Sequence, residues 1–295
     1  MVQTAADTKV EREASPAPSR AWPPPLTVRA CGLTDPGRVR PHNEDQFLIA
    51  SFSHALHVRQ TSIRQPAVQL SGPEGHLFVV ADGVGGAVGG ARASNLAVRS
   101  VEDFLINSLH TCLRLTQGEG EVRRGLREAL AQADARLFQE AQRRPELSGM
   151  GTTLTLAACA GPDLYVAHVG DSRCYLLRRG VLHQLTRDHT LIEAMVRKGV
   201  LTADEAAHHS MRHVIINVVG GNQTGVEAEV HHLNVGAGDV LLLCSDGLTE
   251  MVPDAEIQDI LTAEAETSRC CRRLVDRANE LGGRDNVTVV VARFE

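Results

Sequence analysis

Aromatic residues are scarce in this 295-residue sequence, at 3%: one Trp, two Tyr and six Phe. A core built with so few rings must be aliphatic, drawn from Leu, Val, Ile and Ala. There is no basic excess either, since 30 Lys and Arg face 36 Asp and Glu for a net charge of −6. Without positive surplus or stacking platforms, nucleic acid and anionic membrane surfaces are excluded as partners. No apolar run approaches the length of a membrane span and no signal peptide opens the sequence, so the expected location is the cytoplasm. None of the seven cysteines forms a C-x-x-C pair, which removes the zinc ribbon and the dithiol redox motif. Most of them sit in apolar runs and read as buried thiols in a reducing compartment. The thirteen histidines include the pairs His208-His209 and His231-His232. Adjacent side chains point to different faces, which argues against a His-built metal site.

What is present is a chain 43% hydrophobic, long enough to bury a sizeable core. Residues 1–25 are polar and punctuated by proline, and are expected to form a disordered tail. From Leu26 onward the pattern alternates between strands and helices. Strands are expected from Leu26, at Gln46 to Ala50, Leu77 to Ala81, Gly149 to Ala160, Leu164 to Val169, Arg173 to Arg178, Asp239 to Ser245 and Val287 to Phe294. Helical spacing covers Ala91 to Leu109, Glu121 to Gln142, Asp254 to Thr262 and Ser268 to Leu281. Ser53 to Gly75 reads as an inserted loop, and a polar helical excursion over about 188–215 as a small flap laid on the body.

The stretch HLFVVADGVGGAVGGARAS organises the rest. A buried apolar run ends at Asp82-Gly83, then a glycine-rich loop leads to a helix. Three readings are open: a phosphate cradle, a carboxylate held out toward a hard cation with the Gly83 carbonyl beside it, and an ordinary strand-to-helix turn. Against the first, Val88 stands where the third glycine of G-x-G-x-x-G belongs, and Asp82 would repel a pyrophosphate.

The Asp-Gly ending recurs at Asp246-Gly247, Asp285 precedes the last strand, and Glu44-Asp45 adjoins another. Carboxylates that converge without Lys or Arg partners call for hard cations, and oxygen ligands favour Mg²⁺ or Mn²⁺ over zinc. Arg40, His42 and Glu44, spaced by two, share one face if their segment is extended. Asp171, in Gly170-Asp171-Ser172, reads as a turn residue. A C-x5-R match, Cys271 to Arg277, has no glycine to form a phosphate loop and lies in an expected helix.

Six motifs stand together and in order: Arg40-Pro41-His42-Asn43-Glu44-Asp45, Asp82-Gly83-Val84-Gly85-Gly86, Gly149-Met150-Gly151-Thr152-Thr153, Gly170-Asp171-Ser172-Arg173, Ser245-Asp246-Gly247 and Gly283-Arg284-Asp285-Asn286. The series resembles the bacterial branch of the metal-dependent type 2C serine/threonine protein phosphatases, over about residues 26 to 295. That resemblance implies an α+β fold, a four-layer α-β-β-α sandwich of two antiparallel sheets flanked by helix pairs with a flap, and the metals in a cleft at one end.

It implies two Mn²⁺ or Mg²⁺ ions, with Asp82 bridging them. Asp246 and Asp285 would complete one site, and Glu44 with the Gly83 carbonyl the other. Asp45 would orient an activated water, Arg40 would hold the substrate phosphate, and His42 is the candidate proton donor. The expected activity is hydrolysis of phosphoserine and phosphothreonine in proteins by a water activated between two metals. The expected partners are phosphoprotein substrates and a cognate Ser/Thr kinase, with the chain a monomer. The alternative is a catalytically weak module of the same fold that binds phosphoproteins in signalling. The chain departs from the family at Val84, Ala87 and Ala91. Ser148 also stands where relatives often offer an Asp to a third metal; Asp188 is the residue here that could serve that ion.

Overall fold

The computed structural model describes residues 26–52, 55–56, 70–71, 75–107, 119–207 and 209–295. The proline-rich tail, much of the inserted loop, Cys112 and His208 lie outside them. The chain opens with β1 (Val28–Asp35) and β2 (Gln46–Phe52), then the short pair β3 (Ala55–Leu56) and β4 (Leu70–Ser71), then β5 (Gly75–Ala81) and β6 (Gly83–Val84). Two long helices follow, α1 (Gly86–Asn107) and α2 (Glu119–Arg143). The strands β7 (Gly151–Thr152), β8 (Leu154–Ala160), β9 (Asp163–Val169), β10 (Arg173–Arg178) and β11 (Val181–Gln184) come next. The flap carries α3 (Leu191–Arg197) and α4 (Ala203–Ala207). After it come β12 (Val219–Gly220), β13 (Glu229–Asn234), β14 (Val240–Cys244), α5 (Asp246–Thr249), α6 (Asp254–Ala263), α7 (Thr267–Glu280) and β15 (Val287–Phe294).

Two five-stranded antiparallel sheets form the centre, one ordered β1-β15-β14-β10-β11 and the other β13-β9-β8-β5-β2. Side chains alternate across a strand, so each central strand feeds two cores. In β5, Phe78 and Val80 face the other sheet while Leu77, Val79 and Ala81 face α1 and α2. In β14, Leu241 and Leu243 join the same inter-sheet core, while Val240, Leu242 and Cys244 meet α6 and α7. Burial on both faces explains why these strands read as unbroken apolar runs. The result is the four-layer α-β-β-α sandwich of an α+β fold. The cores are aliphatic, as the scarcity of rings requires, and the cysteines described are free thiols, buried except for the partly exposed Cys31.

Several elements escaped the sequence reading for physical reasons; the two-residue strands β3 and β4, in the expected loop, and β6 and β12 are too short to show a period. β11 and β13 are edge strands of mixed polarity, exposed enough that no apolar run marks them. The helix α1 begins at Gly86, five residues before the expected Ala91, because its first turn is written in glycine. Among the described residues no helix is long and apolar enough to cross a membrane.

The flap is hinged on a narrow neck. His189 donates its N–H to the Gly170 carbonyl, Ile216 donates to the His189 carbonyl, Leu191 to the Val214 carbonyl, and Thr190 bridges Ile215. Beneath the neck, His168 is 0% exposed; its Nδ1 meets Thr155 Oγ1 at 2.8 Å and its Nε2 meets the Arg187 carbonyl at 3.0 Å. Burial, then the nearby His189, pushes His168 down to about 4, so it is neutral in the folded protein.

The unfolded chain binds a proton at this imidazole near pH 6.5, whereas the folded chain resists until about pH 4. Stability from His168 is therefore present above about pH 6.5 and lost as pH falls through that window, at up to about 1.4 kcal/mol per pH unit. Urea unfolding midpoints followed across the window should show a shallower acid slope in His168→Gln than in the wild type. Parallel slopes would contradict the assignment.

Candidate active site

The cleft lies where the ends of β5, β14 and β15 meet, and hydrogen bonds between motifs hold it there. Asp82 follows β5, and its N–H donates to Thr153 Oγ1 at 2.9 Å. Its carbonyl accepts from the Thr153 N–H at 2.8 Å and from Thr152 Oγ1 at 2.7 Å. The G-M-G-T-T motif thus clamps the Asp82 backbone, and Thr153 Oγ1 pairs with Ser172 Oγ at 2.7 Å to tie in the G-D-S-R turn. Asn286 does the same on the other side. Its Oδ1 accepts from the Glu44 N–H at 2.8 Å, and its Nδ2 donates to the carbonyls of His42 at 2.9 Å and Pro36 at 3.0 Å. Ser245 donates to Asp45 Oδ2 at 2.7 Å and its hydroxyl oxygen accepts from the Thr288 N–H.

Glycine is required at two close approaches. Gly37 has φ +79°, and a β-carbon there would strike the Asp285 carbonyl. A β-carbon on Gly90 would strike the Glu44 carboxylate itself, so α1 can run flush against that side chain only with glycine. Sequence reading did not single out Gly90; its only signal was the repeated Gly-Gly in what read as a loop.

The carboxylates converge. Asp82 is pushed well above the usual carboxylate range, first by burial and then by the charges of Asp45, Asp246, Asp171 and Asp285. Asp246 is raised likewise, by burial and then by Asp171, Glu250, Asp285 and Asp45. Asp45, 1% exposed, rises to about 6 through burial, the hydrogen bonds from Thr288 and Ser245 opposing the shift. Glu44 is raised by burial against the counter-effect of Arg40. Arg40 Nη2 donates to Asp285 Oδ2 at 2.7 Å, the one guanidinium paired with these acids among the described residues. The Oδ1 atoms of Asp45, Asp171 and Asp246 are buried without a hydrogen-bond partner. Repelling acids with orphaned oxygens fit a divalent cation, which would neutralise the repulsion and fill the open valences.

The expected residues are thus gathered: Arg40, Glu44, Asp45, Asp82, Asp246 and Asp285 share the cleft, with Gly83 following Asp82. His42 has an exposed side chain, and its carbonyl is pinned by Asn286. Asp188 lies near Asp171 but is engaged, because Arg173 grips both its oxygens at 2.7–3.2 Å, so a cation would have to displace a guanidinium. Asp171 is more than a turn residue. It is 7% exposed and raised to about 7 by burial, then by Asp188 and Glu250. A G-D-S turn gives no hint of this, since the convergence is tertiary.

If mutual repulsion dominates here, Asp82→Asn should stabilise the metal-free protein near neutral pH by on the order of 1 kcal/mol, about 2–4 °C in Tm. The same substitution should blunt the Tm rise on adding Mn²⁺. Calorimetry with and without chelator reads both, and a lower metal-free Tm in the variant would refute the repulsion.

The Protein phosphatase 2C family model matches residues 55–281. The serine/threonine phosphatase stp of Listeria welshimeri is 36% identical over 258 residues, 88% of this chain and 92% of that protein. Among solved structures, the catalytic domain of the serine/threonine protein phosphatase PstP, in complex with two manganese ions, superposes with a TM-score of 0.71 at 32% identity, covering 91% of this chain and 99% of that one. The S. agalactiae serine/threonine phosphatase gives a TM-score of 0.76 at 29% identity, covering 91% of this chain and 100% of that one.

Proposed function

The chain belongs to the protein phosphatase 2C family, and from that premise we propose that residues 26–295 hydrolyse phosphoserine and phosphothreonine in proteins, opposing a Ser/Thr kinase in the cytoplasm. The observation that carries the reading is the hub at Asp82, whose carboxyl lies under the charges of four other aspartates with a single guanidinium at hand. Asp82, Asp246, Asp285, Glu44 and the Gly83 carbonyl are the groups that would hold a pair of Mn²⁺ or Mg²⁺ ions. When bound, such ions supply Lewis acidity and lower the pKa of water so that hydroxide is available at neutral pH.

The chain's own residues do the rest. Arg40 reaches the acids from a half-exposed position, so its guanidinium can exchange the Asp285 carboxylate for two oxygens of an incoming phosphoryl group. Charge spreading onto those oxygens during phosphoryl transfer meets a fixed planar donor. Asp45 is fixed through Oδ2 by Ser245 and leaves Oδ1 without a partner, an acceptor set to orient the attacking water. His42 has its carbonyl held by Asn286 and an exposed side chain close enough to act on Glu44, and it is the residue that would give the departing serine or threonine oxygen its proton. The buried thiols take no part, since burial drives Cys271 far above the usual thiol range.

Phosphate release from a phosphothreonine peptide with Mn²⁺, with and without chelator, tests the activity. Turnover that chelator abolishes is expected, and Asp82→Asn should lower it by more than about 10²-fold. Phosphopeptide binding without turnover in the wild type would favour a signalling module instead.

A serine or threonine alkoxide leaves poorly without a proton, whereas nitrophenolate leaves readily, and a positioned acid is worth about 10²- to 10⁴-fold. His42→Gln should therefore slow phosphopeptide hydrolysis far more than nitrophenyl phosphate hydrolysis. Equal losses would assign His42 to binding, and no loss would remove it from the reaction.

A further inference from the structure

Beside the acids of the cleft stand two loops, 36–40 ahead of β2 and 282–286 ahead of β15, that carry three exposed arginines: Arg38, Arg40 and Arg284. The loops are zipped together. The Arg38 N–H donates to the Gly283 carbonyl at 2.7 Å, and Gly37 sits so near the Asp285 carbonyl that no β-carbon fits between them. Arg40 closes the zip on Asp285 at 2.7 Å. Asp35 anchors its base, one carboxylate oxygen accepting from the Gly37 N–H at 2.9 Å and from Asn279 Nδ2 at 3.1 Å. The Arg38 side chain then runs over the opposite loop, since a β-carbon on Gly283 would lie 2.8 Å from Arg38 Cγ. Arg284 is the next residue of that loop. The three arginines thus rise from fixed stems along one rim.

Arg40 already has a partner in Asp285 and a task in the reaction. The other two have neither. Among the described residues, no hydrogen bond or ion pair engages the guanidinium of Arg38 or Arg284. Elsewhere exposed arginines are matched with carboxylates, as in Arg92–Glu140, Arg136–Asp103 and Arg277–Glu256. Two free guanidinium groups on one rim are a site for an anion, because each offers a planar fork that fits a carboxylate or a phosphate. The chain as a whole carries a net charge of −6, which repels an anionic segment at long range. A positive rim next to the phosphate position reverses that field where the substrate must land.

We propose that Arg38 and Arg284 form an anion subsite beside the phosphate position. It selects phosphorylated segments that carry a further anionic side chain, a carboxylate or a second phosphate, close in sequence to the scissile phosphate. The inference rests on the phosphatase reading above and adds the class of substrate. Arg40 takes the phosphoryl group to be cleaved, while Arg38 and Arg284 take its anionic neighbour. Charges on an exposed rim are solvated and screened by salt, so the subsite acts on encounter and KM and leaves the chemical step alone.

Steady-state kinetics with Mn²⁺ on matched phosphothreonine peptides tests this, with the neighbours all neutral, one of them Glu, or one of them a second phosphothreonine. In the wild type at low salt the anionic peptides should have a KM at least about fivefold below the neutral one at equal kcat. Salt at about 0.5 M should erase most of the difference. Arg38→Gln combined with Arg284→Gln should bring the KM values together, while nitrophenyl phosphate, which has no neighbour to recognise, is turned over as by the wild type. That unchanged turnover also reports an intact cleft. Arg38→Glu combined with Arg284→Glu should invert the choice toward a peptide with Lys beside the phosphothreonine. The anion that lowers KM further assigns the subsite to acidic or to doubly phosphorylated segments. If Arg284→Gln disturbs its neighbour Asp285 and slows nitrophenyl phosphate, Arg38→Gln alone must still cost at least about twofold of the preference. No preference in the wild type, or one that survives these substitutions, would overturn the proposal. Absence of nitrophenyl phosphate turnover in the wild type would instead overturn the phosphatase reading, and the subsite with it.

Discussion

Carboxylate repulsion is the constraint on which the rest of the molecule depends. Asp82 stands under the charges of Asp45, Asp171, Asp246 and Asp285, and burial disfavours the charged forms of Asp82, Asp45, Asp171 and Asp246. A fold that gathers such groups must hold them against their own field. It does so with neutral clamps: Thr152 and Thr153 on the Asp82 backbone, Asn286 on Glu44 and His42, and Ser245 on Asp45. None of these brings positive charge into the cleft. The cleft thereby stays negative and fit for a small hard cation, with Arg40 the guanidinium paired with these acids among the described residues, exposed enough to swing toward a substrate.

Much of this was legible in the sequence, because the apolar runs that end in Asp-Gly are strands buried on two faces. Leu77 to Ala81 and Val240 to Cys244 carry that signature, and their last residues fix where the acids sit. The motif resemblance named Arg40, Glu44, Asp45, Asp82, Asp246 and Asp285, and the fold collects them. What sequence could not yield was anything set by three-dimensional approach. Asp171 reads as a turn and is instead a buried member of the acid cluster. Gly90 reads as loop glycine and is the one residue that lets α1 touch the Glu44 carboxylate. Asp188 is an acid in an apt place, yet Arg173 takes both its oxygens. Edge strands β11 and β13 hide because neither is buried along its length and neither carries an apolar run.

The flap contacts the body at two different kinds of place. At its neck, His189, Asn217 and the Gly170 turn form a hydrogen-bonded hinge one step from Asp171. At its far turn, His213 lies against Glu250 beside Asp246. The neck is backbone pairing and belongs to the fold, while the far contact is one pair of side chains from flap and body, which the flap can leave without unfolding. A segment tied permanently at one end and conditionally at the other has the geometry of a cover.

The hydrogen bond from Ser245 to Asp45 joins residues 200 positions apart, one at the end of β14 and the other at the start of β2. Those strands belong to opposite sheets. The cleft is accordingly a seam, stitched by residues from both halves of the sandwich, and it is also where their charges push the halves apart. Neutralising that charge would rivet the two sheets together at their open end. A cation bound there would then brace the sandwich as well as serve the reaction, one charge acting on the seam and the chemistry together.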